Sequence, residues 1–269
     1  MSELPKPLAV LLSVVVLGAA VQAQPCAGLD EETQNALAVL VAQYYPVPVS
    51  ADCGMTAMYA SESIIKQGSQ AMPCLLHIYK HGLVETELWP LETPEPTDGA
   101  WVLTLISRIE PTTAVELYRA RYTEFEGDPI ERVRSAIALA GLGEQEYLEK
   151  LTEMLRNPPA VRTGKDSDLQ GLLAETVEVI GQQHYKPALA VLQELAARGW
   201  TRNLRLPVYI AQLDGDVDVL QEFASVSGLS GTALRSLATL GRTDILEELA
   251  TDPHYPYKKA AREVLANAG

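Results

Sequence analysis

The sequence predicts an all-α protein in which helical hairpins stack into a right-handed α–α superhelix, that is, an α-solenoid. Along nearly the whole chain the apolar residues recur with a spacing near 3.6 rather than 2, which is typical of helices that face a core. Glycine or proline stands in the connections between these segments, where a helix has to stop. A helix, turn, helix pattern also recurs, and each such pair needs its neighbours to cover its apolar faces.

The amino terminus resembles a secretory signal peptide. Lys6 precedes an apolar stretch from Leu8 to Leu17, and small residues follow at Gly18, Ala19 and Ala20. We predict a signal peptide over residues 1–23, cleaved after Ala23. The alternative is an uncleaved anchor helix, but the apolar stretch is shorter than the ~20 residues that span a bilayer. The sequence therefore predicts an exported protein, periplasmic or extracellular, with no membrane span after cleavage.

Residues 24–97 are predicted to form a helical cap that covers one end of the stack. Helices are expected over Asp30–Tyr45, Met55–Gln67 and Ser69–Lys80, with Pro73 in a first-turn position of the last one. A terminal repeat has to close the open end of a stacked core, which explains a cap without any chemistry. Prolines at 90, 94 and 96 exclude helix there and set the predicted boundary after residue 97.

All three cysteines, Cys26, Cys53 and Cys74, lie in this predicted cap. Export to an oxidising compartment favours a disulfide, and an odd count leaves one thiol over. We predict that Cys53 pairs with Cys74 across the Met55–Gln67 helix. Pairing of Cys26 with Cys53 is the alternative. Either loop would stabilise the fold by roughly 3 kcal/mol in the chain-entropy model.

The repeat array is predicted over residues 98–269. Asp128–Gly143 begins with an Asp-Pro turn, continues as an alanine-rich helix and stops at a glycine, and a second helix over Gln145–Leu155 follows at once. The plan returns three times, with turn glycines at Gly143, Gly181, Gly215 and Gly241, which gives intervals of 38, 34 and 26 residues. Such a drifting period, close to the length of a helix pair, is typical of solenoids whose loops vary.

Between Trp101 and Gly269 these segments resemble HEAT repeats, particularly the short bacterial kind that also occurs in phycobilisome lyases. The residues that carry the resemblance are Asp128-Pro129, Val133-Arg134, Ala136, Leu142-Gly143, Leu240-Gly241, and Asp252-Pro253 with Ala260, Ala261 and Arg262. The segment Leu204–Ala211 departs from the pattern, since it contains Pro207 and lacks the Val-Arg pair. The resemblance implies an armadillo-type fold that serves as a scaffold for protein contacts, and it supplies no catalytic residue.

Composition and the absence of recognisable motifs reduce the number of function classes that fit this sequence. A formal net charge of −14 and a pI near 4.7 argue against nucleic-acid binding, which needs clustered Lys and Arg. No catalytic motif is recognisable, so we predict a protein that is not an enzyme and that takes no cofactor. The predicted function is that of an exported scaffold, which binds a protein or peptide partner through its solenoid surface.

Two groups of aromatic and basic residues stand out against the acidic background as candidate partner contacts, because such side chains are frequent hot spots of interfaces. Their ordinary role is packing between helices, with arginine stems covering aromatic rings. The first group is Tyr118, Arg119, Arg121 and Tyr122, and the second is Trp200, Arg202, Arg205 and Tyr209.

A metal-dependent enzyme or factor is the alternative function. His77 and His81 are four residues apart, which aligns two imidazoles on one face of a helix, and Glu85 and Glu87 follow. Cys74 lies one turn before His77 but is assigned to the disulfide. Because a zinc site needs three or four ligands and only two are fixed here, we predict no metal.

Overall fold

The computed structural model of the chain describes residues 26, 28–44, 53–81, 101–160 and 166–268. The predicted signal peptide, the predicted boundary after residue 97, Glu85 and Glu87 lie outside these residues. The described residues form α-helices, short 3-10 turns and connecting turns, without a strand. The predicted all-α class is therefore confirmed.

The helices are numbered in chain order and belong to two compact units, residues 1–102 and 103–269. Those of the first unit are α1 (Glu31–Tyr44), α2 (Cys53–Gln67) and α3 (Met72–His81). The following helices are α4 (Val102–Ile109), α5 (Pro111–Glu124), α6 (Pro129–Gly141), α7 (Gln145–Arg156), α8 (Asp166–Gln182), α9 (Leu189–Ala197), α10 (Leu206–Asp214), α11 (Val217–Ala224), α12 (Ser230–Thr239), α13 (Thr243–Thr251) and α14 (Lys258–Ala268).

In the first unit α1 and α2 pack on one another, and they run antiparallel because Ser63 and Gln67 near the end of α2 donate to Glu32 and Asp30 at the start of α1. Asp30 precedes α1 and its Oδ1 accepts a hydrogen bond from the Thr33 N–H at 2.7 Å, which caps the helix. Gln67, the last residue of α2, donates to the other oxygen of the same carboxylate. The end of α2 therefore lies beside the start of α1.

The disulfide joins Cys26 to Cys74, with a Cα–Cα distance of 4.7 Å. The predicted Cys53–Cys74 pairing and its alternative, Cys26–Cys53, are both wrong. Cys53 is the first residue of α2 and lies at the end of the hairpin away from Cys74, since a 15-residue helix is about 22 Å long. An antiparallel hairpin instead brings the residues before its first helix close to those that follow its second.

In the second unit most successive helices from α5 to α14 pack on one another, and from α6 onward each even-numbered helix also packs on the next even-numbered one. We call α6, α8, α10, α12 and α14 the even row, because α6 packs on α8, α8 on α10, α10 on α12 and α12 on α14. Three of the helices between them each pack on the two even-row helices that flank them in sequence. These are α7 on α6 and α8, α11 on α10 and α12, and α13 on α12 and α14. Buried apolar residues fill the space between neighbouring helices, among them Leu139, Ile180, Val208, Leu234 and Leu246.

One of the four predicted turn glycines is misplaced. Gly181 lies inside α8, and the residue that ends this helix in the left-handed conformation is His184, with φ 51°. A Cβ built on Gly181 would lie 2.1 Å from Cδ1 of the Tyr209 ring, so glycine is needed here because α10 approaches closely. His184 closes the helix as glycine does elsewhere, since its N–H donates to Gly181 O and the Tyr185 N–H donates to Ile180 O.

Candidate binding cleft

The first predicted contact group lies on α5. Tyr118 and Arg121 are buried, and the Arg121 guanidinium donates from Nε and Nη2 to Glu131 Oε2 of α6, at 3.1 and 2.7 Å. The guanidinium carbon also lies 4.6 Å from the ring centroid of Phe125. Arg119 is exposed and forms an ion pair with Glu144 in the turn before α7. These contacts hold α5 against the hairpin of α6 and α7.

Tyr122, the fourth residue of that group, is half-buried among cations. The Arg132 guanidinium lies 4.7 Å from its ring centroid and donates from Nη2 to its hydroxyl at 2.9 Å. The Lys150 ammonium lies 5.0 Å from the same centroid, and the ring of Tyr147 meets it edge-on at 5.2 Å. Tyr122 therefore packs among side chains of α6 and α7.

The second predicted contact group lies between α9 and α10. Trp200 is half-buried and Arg202 is exposed, and Leu204 beside them is 80% exposed. Arg205 is also exposed, and its Nη1 lies 2.7 Å from Oε1 of Glu178 on α8. Tyr209 is buried, with 2% of its surface exposed. The structure thus brings Arg205 and Tyr209 to the same face of α8, whereas Arg202 and Leu204 extend from the connection.

His77 and His81 lie on α3 with their ring centroids 4.7 Å apart. The sulfur of Cys74 is bonded to Cys26 and does not offer a thiolate. Within the described residues no group of three or more His, Cys, Asp or Glu side chains is placed to hold a metal ion.

A polar cleft opens on the even row between α8, α10 and α12. Its cavity has a volume of about 160 Å³. Each of the three helices, or the turn that follows it, contributes polar side chains to the wall, chiefly Gln182, His184, Tyr209, Gln212, Arg235 and Ser236. We call this the His184 cleft. None of its lining residues is acidic.

The floor of the cleft is a buried hydrogen-bond network centred on Gln212, which is 5% exposed. The Gln212 amide nitrogen donates to Gly181 O at 2.9 Å and contacts Nδ1 of His184. The hydroxyl of Ser236, 1% exposed, donates to Gln212 Oε1. Every polar atom of the Gln212 side chain is therefore used, as a buried amide requires. His184 itself lies exposed at the rim of the cleft, and the partial desolvation of its ring lowers the pKa of the imidazole below the ordinary histidine value, so the neutral form predominates at pH 7.

The Tyr209 ring forms another part of the wall and fills the space that Gly181 leaves. Burial raises the pKa of the Tyr209 phenol, and a hydrogen bond to Glu178 raises it further. Glu178 is held by Arg205 at the same time. The phenol is therefore protonated throughout the ordinary pH range and serves as a fixed hydrogen-bond donor.

Arg235 on α12 borders two cavities. Besides the His184 cleft, it lines a groove of about 560 Å³ between α12 and α14, whose walls are largely small residues such as Gly231, Ala238, Ala260 and Ala268. We call this the α12–α14 groove. Arg235 is exposed and its Nη2 contacts Thr232 Oγ1 at 3.4 Å. Among the residues that the structure describes, no carboxylate forms a salt bridge with it.

Of the residues that build the cleft, the sequence analysis singled out Tyr209 alone as a contact. Gln212, Arg235 and Ser236 carry no motif, and they meet because consecutive hairpins pack side by side. One sequence signal does exist at His184. When the ends of α6, α8, α10 and α12 are aligned, three carry glycine and the fourth carries histidine. A residue that breaks a local rule in this way marks a position with another role.

No protein-family model, no curated protein and no solved structure matches this chain. Within the described residues, no helix combines the length and the apolar character needed to cross a membrane.

Proposed function

We propose that this protein is an exported, non-enzymatic scaffold of HEAT-like hairpins that binds a protein or peptide partner along the even row. The succession of contacts from α6 to α14 supports a solenoid, since each hairpin packs mainly on its neighbours. The row whose helices approach most closely lies on the inner side of a curved stack. The even-row helices contact one another more extensively than α7 contacts α9, so we assign the even row to the concave side.

One observation supports the proposal: three cavities adjoin one another, two of them on the even row and the third beside the turns that follow α6 and α8. The His184 cleft shares Arg235 and Thr239 with the α12–α14 groove. It shares His184 with a third cavity of about 380 Å³, beside the turns at Gly143 and Tyr185. An extended segment of the partner follows these adjoining cavities in the proposed complex. Export is supported by the Cys26–Cys74 disulfide and by the signal-peptide pattern over residues 1–23.

Site-directed photo-crosslinking tests this function. A photoreactive residue replaces Asn267, which lines the α12–α14 groove, and in a parallel protein it replaces Glu247, which is exposed on α13. Exposure to the exported fraction of the source cell should yield one dominant adduct from position 267, identified by mass spectrometry and then reconstituted from purified components. Adducts of equal yield from position 247 would place binding elsewhere and contradict the proposal.

A blocking variant complements the crosslink. Asn267→Trp puts a large ring into the groove and should lower affinity for the identified partner at least tenfold. Ala266→Trp is the matched control, since Ala266 is exposed on the same helix but does not line the groove. Equal affinity of the two variants would exclude the groove as the binding site.

A further inference from the structure

We infer that the His184 cleft is a carboxylate-binding site, which receives the side chain of an aspartate or glutamate in an extended segment of the partner. The inference rests on the proposed function for the existence of a peptide partner, and it deepens that function by naming the group that is recognised. It depends on three features of the cleft: the tautomer of His184, the charge of Arg235 and the way the cavities connect.

The buried network fixes the tautomer of His184. Gly181 O is a backbone carbonyl and can only accept, so the Gln212 side chain has to present its NH₂ group to it. The same NH₂ group contacts His184 Nδ1, which must therefore be the accepting nitrogen. The proton of the neutral imidazole is then on Nε2. His184 thus offers an N–H donor that no atom of the buried network uses.

Arg235 supplies the positive charge. Its guanidinium has five N–H donors, and a single long contact to Thr232 within its own helix leaves most of them available. Other arginines of this unit already form ion pairs, as Arg205 does with Glu178 and Arg242 with Asp244. A carboxylate matches the guanidinium geometry and forms charge-assisted hydrogen bonds with it. No lining residue of the cleft is acidic. The carboxylates beside it are already paired: Glu178, which accepts from Tyr209, with Arg205, and Glu263, which lines the adjoining α12–α14 groove, with Lys259.

The size and the connections of the cleft favour a side chain within a chain over a terminal carboxylate or a free anion. About 160 Å³ accommodates one residue-sized side chain. The adjoining cavities on both sides, reached past His184 and past Arg235, give the flanking residues of the segment somewhere to continue. A chain terminus would leave one of these cavities empty.

The probe that tests the site is N-acetyl-glutamate N-methylamide, titrated into the full chain and followed by ¹H–¹⁵N chemical shifts. Saturable shifts at His184 and Arg235 are expected, with an affinity at least tenfold above that of the glutamine analogue. Arg235→Gln should weaken glutamate binding at least tenfold, because charge-assisted hydrogen bonds are lost. Arg198→Gln is the control, since Arg198 is an exposed arginine outside the cleft, and it should leave binding unchanged.

A second variant, His184→Asn, tests the imidazole donor. Asparagine tolerates the left-handed backbone, so the fold is kept, while the Nε2 donor is lost and glutamate binding should weaken severalfold. Equal binding of the glutamine analogue would overturn the inference. So would tighter binding of inorganic phosphate or of N-acetyl-alanine, which would point to a free anion or a chain terminus.

The two proposals can fail separately. If the glutamate probe does not bind but Asn267→Trp still blocks the partner, the scaffold function stands and the carboxylate site is wrong. If the probe binds and the groove variants leave partner affinity unchanged, the cleft is an anion site and the proposed partner surface is wrong.

Discussion

His184 occupies the left-handed backbone position that glycine fills after α6, α10 and α12, at Gly143, Gly215 and Gly241. A residue with a Cβ pays about 1–2 kcal/mol for this conformation. The contact of its imidazole with Gln212 offsets that cost and ties the end of α8 to α10 and, through Ser236, to α12. A single side chain thereby links three helices of the even row.

This environment makes stability depend on pH. Partial desolvation lowers the folded-state pKa of His184, so as the pH falls below the ordinary histidine value of about 6.5 the unfolded chain takes up the proton first. The contribution of His184 is complete above that value, and the free energy of unfolding should decrease as the pH falls from 7.5 towards 5. Urea denaturation at several pH values measures the slope.

His184→Asn should remove this part of the pH dependence, because asparagine does not titrate. His254→Asn is the matched control, since His254 lies in the turn before α14 and does not line the cleft, and it should keep the wild-type slope. The explanation is wrong if the two variants have the same slope.

Gly181 provides a second test at a single residue. Gly181→Ala should lower the free energy of unfolding by about 1–3 kcal/mol, because the new methyl group would collide with the buried Tyr209 ring. Gly171→Ala in the same helix has open space around its Cβ and should raise stability by about 0.5–1 kcal/mol. Chemical denaturation measures the free energy of unfolding of both variants. If it changes in the same direction in the two, the close contact between Gly181 and Tyr209 is contradicted.

At the level of helices and hairpins, local sequence rules predicted much of what the structure contains. The predicted helix Gln145–Leu155 coincides with α7 to within one residue. Asp128 caps α6, as the Asp-Pro turn indicated, and Pro129 takes the first helical position. These features depend on residues a few positions apart. The cysteine pairing and the His184 cleft do not: Ser236 and Gln212 are 24 residues apart and meet only through hairpin packing.

The cysteine connectivity can be checked by proteolysis of the non-reduced protein. Cleavage after Glu31 or Glu32 separates Cys26 from Cys53, and cleavage after Glu62 separates Cys53 from Cys74. Mass spectrometry should find the peptides of Cys26 and Cys74 linked, and that of Cys53 modified by a thiol reagent. A peptide that links Cys53 to either of the others would contradict the structure.

For the molecule as a whole, contacts between neighbouring helices imply that stability is distributed locally in the second unit. A chain shortened by residues 243–269 loses α13 and α14, which pack on α12. Hydrogen exchange should then accelerate in α11 and α12, while α5, α6 and α7 keep their protection. A uniform loss of protection over all the remaining helices would show that the unit unfolds as one cooperative block.

The bond between Cys26 and Cys74 also determines how the first unit would transmit a mechanical load. A pull applied at residue 26 passes directly to α3 through the two sulfur atoms, so α1 and α2 bear no tension while the bond is intact. Reduction would place both helices in series with the pulling force and release about 165 Å of extensible chain, because 48 residues separate the two cysteines. The redox state of one bond therefore determines whether the first hairpin bears the pulling force.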